Sequence, residues 1–122
     1  MNVWRDIDAR RDRLRVLRAA KPKGAVAIDD WYALELTYTS NAIEGNTLTR
    51  AETAIVIDKG LAIEGKPLRD HLEAGDHNAA LLLAHDIADS GAPLGEETVI
   101  ALHAATLKRS QPDDAGVYSR HQ

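Results

Sequence analysis

A chain of 122 residues suits one domain or part of one, and its 44% apolar content is ordinary for a globular core. The absence of cysteine excludes disulfides and thiolate metal sites, and no apolar run approaches the roughly 20 residues of a membrane-spanning helix. The net charge of −4 is uneven: residues 1–23 hold eight Lys/Arg against three Asp, a balance of +5, leaving −9 for the remainder. Asp6, Asp8 and Asp12 interrupt the basic start, so it reads as a solvated helix face. The acidic remainder argues against nucleic acid as the main partner. Met1-Asn2-Val3-Trp4-Arg5 enters a charged helical pattern directly, unlike a secretory leader, and a cytoplasmic location without membrane contact is expected.

Hydrophobic spacing predicts an all-α chain of about five helices. The first covers about residues 3–20, with Val3, Ile7, Leu14 and Leu17 as a half-buried stripe interrupted by Arg10 and Arg11. Lys21-Pro22-Lys23-Gly24 ends it, giving a basic helix and turn over 1–25 ahead of a main region over 26–122. Asp29 or Asp30 is expected to cap a second helix running to Glu44, its inward stripe formed by Trp31, Leu34, Tyr38 and Ala42. Thr49 and Glu52 form a capping-box pattern for a short third helix to about Asp58, with Ala51, Ile55 and Ala54 inward. Pro67 fits the first turn of a fourth helix that ends before Gly91 and Pro93. Its predicted stripe is Leu68, Leu72, Gly75, Ala79, Leu83 and Ile87, with Gly75 marking close helix contact. Glu96 to Lys108 makes a fifth helix, and residues 109–122 are polar and aperiodic.

The segment Thr39-Ser40-Asn41-Ala42-Ile43-Glu44-Gly45-Asn46 stands out. Gly45 is suited to close the second helix in the left-handed conformation, which puts Glu44 in the last turn against the negative end of the helix dipole. Ser40 lies one turn earlier on the same face, so hydroxyl and carboxylate project together. No basic residue stands at i−4 or i+4 to balance Glu44. Two readings fit this pattern: a solvated surface acid before a glycine stop, or an acid awaiting a cation from elsewhere. The histidines at 71, 77, 85 and 103 match no His-x-x-x-His ligand pair, and no metal site is expected. His71 and His103 read as hydrogen-bonded side chains at helix interfaces, and Asp113-Asp114 as a solvated turn. Glycines 60, 65 and 75 are too dispersed for a phosphate loop.

Ser40-x-x-x-Glu44-Gly45 resembles the (S/T)xxxE(G/N) inhibitory motif of Fic-domain proteins, which transfer AMP from ATP to hydroxyl side chains of target proteins. Asn46-Thr47-Leu48-Thr49-x-x-Glu52 is similar to that family's continuation. Gly65-Lys66-Pro67-Leu68-Arg69-Asp70-His71-Leu72-Glu73, with His77 and Ala80-Leu81, resembles its next helix. Leu102-His103 and Asp114-Ala115-Gly116-Val117-Tyr118 resemble the approach to its target-docking flap, which would begin near Tyr118 and Arg120. The active-site signature HxFx(D/E)GNGRxxR has no counterpart in these 122 residues.

The resemblance implies the amino-terminal half of a Fic-like helical bundle, stopping at the start of the flap and inactive alone. It implies that Glu44 pairs with the signature's second arginine, which otherwise grips the γ-phosphate of ATP bound with Mg2+, while Ser40, Gly45 and Asn46 hold the segment in place. Some members reverse the modification with the same acid. Exposed apolar stripes on the second and fourth helices would then call for a homo-oligomer or a complementary Fic segment. A stand-alone helical inhibitor acting in trans on a Fic enzyme, and an unrelated helical scaffold, are the alternatives.

Overall fold

Residues 2–120 are described by a computed structural model. Helices make up all the regular structure among these residues, in the order α1 (Val3–Ala19), α2 (Lys23–Ile43), α3 (Arg50–Lys59), α4 (Leu68–Ser90) and α5 (Glu96–Leu107). The all-α expectation holds. Packing divides the chain into two units, Met1–Tyr32 and Ala33–Gln122, with the boundary inside α2.

In the first unit, α1 is laced by ion pairs one turn apart, Asp6 with Arg10 at 3.0 Å and Asp8 with Arg11 at 2.8 Å. Such pairs support an exposed helix by a few tenths of a kcal/mol each, about 0.2–0.5. No residue of α1 is buried, which corrects the half-buried stripe: Val3, Ile7, Leu14 and Leu17 are all exposed. Spacing aligned these side chains without supplying a layer to cover them. The start of α2 is also corrected, from Asp29 or Asp30 back to Lys23. Pro22 opens this helix, its carbonyl accepting from the amides of Ala25 and Val26 at 3.0 and 3.3 Å. Proline lacks only an N–H that a helix start leaves unused. Asp29, freed from capping, pairs with Arg18 at 2.8 Å.

The second unit is organised around α4, against which α3 and α5 pack. Apart from Leu48, its buried residues are small or polar: Ala74 and Ala80, with Thr37, Thr53, Asp70 and Asp76. Each of these polar groups has a partner, as burial demands. Thr37 Oγ1 meets His77 Nδ1 at 2.9 Å, joining the C-terminal half of α2 to α4. Thr53 Oγ1 donates to the Thr49 carbonyl at 2.9 Å. Asp76 accepts from the backbone amides of Arg109 and Ser110 at 2.7 and 3.2 Å and from Arg109 Nε at 2.7 Å.

The stripes read from spacing hold in part, with Leu72, Leu83 and Ile87 of α4, Leu34 and Tyr38 of α2, and Ala54 and Ile55 of α3 half-buried, but these bonds put polar or small residues at the fully buried positions. On α4, Leu68 and Ala79 are exposed, and the covered positions are Asp70, Ala74, Asp76 and Ala80. On α2, Trp31 and Ala42 are exposed while Thr37 is fully buried. On α3, Ala51 is exposed and Thr53 buried. Gly75 is approached by the Arg109 side chain, from beyond α5, and not by a helix: a Cβ there would collide with Nη2. The predicted capping box is present, with the Glu52 amide donating to Thr49 Oγ1 at 3.1 Å and the Thr49 amide to Glu52 Oε2 at 2.8 Å. That backbone N–H holds the Glu52 carboxyl below its usual range.

Two stability outcomes are expected. Thr49→Ala should lower unfolding stability by about 1 kcal/mol in urea titrations, as loss of an N-cap does elsewhere. His77 is half-buried, and desolvation lowers its pKa, favouring the neutral ring whose Nδ1 can accept from Thr37. Its contribution is full above the unfolded pKa of about 6.5 and is lost as pH falls through that value toward the folded one. The urea midpoint should therefore drop between about pH 7 and pH 5, with His77 titrating low by NMR. A ring titrating at or above its ordinary value contradicts this.

Candidate functional site

The end of α2 is a Schellman closure. The Asn46 amide donates to the Asn41 carbonyl at 3.0 Å and the Gly45 amide to the Ala42 carbonyl at 3.1 Å, with Gly45 at φ +92°. Only glycine takes that angle without steric cost. Glu44 thus occupies the cap position, one residue past the last helical one. No basic residue lies in the last turn of α2 to offset its charge. An acid at such an end is disfavoured by roughly 0.3–1 kcal/mol. The Glu44 side chain is exposed and has no hydrogen bond or ion pair among the described residues.

The turn after Gly45 is bound tightly to the start of α4. Asn46 Nδ2 donates to the Asp70 carbonyl and to Glu73 Oε2, both at 3.0 Å, while its Oδ1 accepts from the Leu48 amide at 3.0 Å. Thr47 delivers its amide and hydroxyl to the same Asp70 oxygen, at 2.9 and 2.5 Å. Lys66 Nζ donates to the Thr47 carbonyl at 2.7 Å and lies 3.5 Å from Glu52. The path from Gly45 to α3 is therefore restrained at successive residues, and Glu44 has a defined place at the edge of this anchored turn.

That place is the rim of a cavity of about 210 Å³ lined by Asn41, Glu44, Arg69, Glu73, Thr106, Leu107, Ser110 and Gln111. Its charged side chains are two carboxylates and one guanidinium. Arg69 Nε donates to Glu73 Oε1 at 2.8 Å, so Glu44 is the acid left over. Asn41 Nδ2 and Ser110 Oγ, on two of the lining residues, are buried without a hydrogen-bond partner. Ser40, half-buried, is not among the lining residues; Asn41, three positions before Glu44, is. Sequence reasoning missed Asn41, Arg69, Glu73 and Ser110, which α2, α4 and the segment after α5 bring together from distant positions.

Tyr118 and Arg120 lie elsewhere, both exposed. They line a separate cavity of about 610 Å³ with His103, Asp113, Asp114, Val117 and Ser119, which shares no residue with the one holding Glu44. The Tyr118 hydroxyl donates to the Glu96 carboxylate, which raises its pKa. His103 Nδ1 accepts from the Gly116 amide at 3.0 Å. His71 is used at both nitrogens, Nε2 accepting from the Ile63 amide and Nδ1 meeting the Pro67 carbonyl, each at 2.8 Å. Both histidines are hydrogen-bonded, as expected, but to loop backbone and not across a helix interface.

A protein adenylyltransferase Fic of Nematostella vectensis is 30% identical over 117 residues, covering 95% of this chain and 27% of that protein. The chain is a relative of the Fic protein adenylyltransferases. The protein adenylyltransferase Fic of Drosophila virilis is 27% identical over 95% of the chain, and protein adenylyltransferase fic-1 of Caenorhabditis elegans 31% identical over 65% of it. The chain spans about a quarter of the length of the first two relatives and 16% of the third. No family model and no solved structure matches it. Fic relatedness extends over both the anchored turn and α4.

Asn46→Ala removes the side chain that ties this turn to α4 and strands the Leu48 amide. Unfolding stability should fall by about 1–3 kcal/mol. An unchanged urea midpoint would show that the turn holds its place without Asn46.

Proposed function

We propose that this chain is the regulatory amino-terminal part of a protein adenylyltransferase, and that Glu44 restrains its transfer of AMP from ATP to hydroxyls of a target protein. The observation that carries this reading is the unpaired Glu44 carboxylate at the rim of a cavity whose other acid is already satisfied. Such an arrangement has room for one more cation.

In this reading the cation is the guanidinium of an arginine on a complementary segment carrying the HxFx(D/E)GNGRxxR signature. A carboxylate and a guanidinium form a strong charge-assisted pair. The same guanidinium would otherwise orient the γ-phosphate of ATP, bound with Mg2+, for in-line transfer. Glu44 and the nucleotide therefore compete for one group. Covalent attachment gives Glu44 a high effective concentration, so inhibition is the resting state. The dense bonding of Asn46 and Thr47 to α4 supports this, because a competitor works only when held in register. Tyr118 and Arg120 would stand at the edge of the target-docking flap, a separate place for a separate task.

The test uses the full-length parent carrying this chain. Glu44→Gly should raise ATP-dependent self-AMPylation on the order of tenfold or more, the equivalent of about 1.4 kcal/mol or more. Equal rates in the two proteins would sink the inhibitory assignment.

A further inference from the structure

We infer that Glu73 keeps Glu44 available by holding Arg69, and that Arg69 is the chain's own alternative partner for Glu44; this rests on the inhibitory reading above and describes its regulation. Three charges share one cavity, those of Glu44, Arg69 and Glu73. Arg69 and Glu73 stand four residues apart on α4, and so on one helix face. Glu73 is the fixed member. One of its oxygens accepts from Asn46 Nδ2 at 3.0 Å and the other from Arg69 Nε at 2.8 Å, and its side chain is only 17% exposed. Arg69 is the less restrained one, 64% exposed, held through Nε alone, with no bond to its terminal nitrogens among the described residues.

Across the same cavity Glu44 has no partner among the described residues. A pair with one solvent-exposed partner, as Arg69 is for Glu73, is weakened by screening, so a modest change redirects the guanidinium. Freed from Glu73, Arg69 faces one remaining carboxylate in the cavity, that of Glu44. Pairing there neutralises the acid that would hold the nucleotide-gripping arginine, and inhibition lifts. Glu73 is thus a positioning residue: it acts through Arg69 on Glu44 and touches no substrate. Glu73 is also bonded to Asn46, so a signal that shifts the anchored turn would reach Arg69 directly.

The experiment compares self-AMPylation of the full-length parent with its Glu44→Gly, Arg69→Ala, Glu73→Gln and Glu73→Gln/Arg69→Ala variants. Glutamine keeps an oxygen to accept from Asn46 but loses the charge that holds Arg69. Glu73→Gln should raise activity on the order of threefold to tenfold. Adding Arg69→Ala should return it to within about twofold of the wild type, a coupling that independent sites do not show. A double variant as active as Glu73→Gln alone overturns the inference, since activation would then come from loosening Asn46. So does a Glu73→Gln variant with wild-type activity. Glu44→Gly separates the levels: if it activates while the double variant fails to rescue, the inhibitory reading stands and the Arg69 switch does not. If Glu44→Gly has no effect, both fall.

Discussion

Two acids at the start of α4, Asp70 and Glu73, organise the second unit. Asp70 is 7% exposed, and its carboxylate takes both the amide and the hydroxyl of Thr47 while its carbonyl takes the Asn46 side chain. A buried carboxylate is tolerated only when such donors surround it. These donors come from the turn beyond α2, so satisfying the acid also fixes the turn. With the turn fixed, the Schellman closure at Gly45 determines where α2 must end, and Thr37 against His77 sets the rotation of its last turns.

From that geometry comes an acid with no partner at the negative end of a helix. Folding alone gives no reason to place a charge there; the helix dipole opposes it and the nearby Arg69 is taken by Glu73. Locally unfavourable choices that the surroundings enforce are where function is to be sought. The use proposed for such an acid, as a competitor for a phosphate-binding arginine, is in keeping with similarity to a Fic protein adenylyltransferase over 95% of the chain. Asn41 Nδ2 and Ser110 Oγ, on residues lining the same cavity, are buried without a partner among the described residues.

Much of this was legible in the sequence, and the failures have a common cause. Caps are local chemistry, so Thr49 with Glu52, Pro67, Gly45 and Gly91 located helix ends within a residue or two. Spacing shows which side chains share a face but not which face is covered. The buried face of α4 is set by Asp70 and Asp76, whose partners Thr47 and Arg109 lie 23 and 33 residues away in sequence. The same limit left Asn41, Arg69 and Glu73, which line the cavity with Glu44, outside the sequence reading of that acid. The early start of α2 was hidden because Pro22 reads as a breaker until one asks which hydrogen bond it would have to make.

The most direct measurement is the structure of the complete parent without nucleotide, read at one distance: from the Glu44 carboxylate to the nearest guanidinium contributed from outside these 122 residues. An inhibitory Glu44 requires a charge-assisted contact there, of about 2.7–2.9 Å. A Glu44 carboxylate in solvent, with no such guanidinium within about 6 Å, would contradict it.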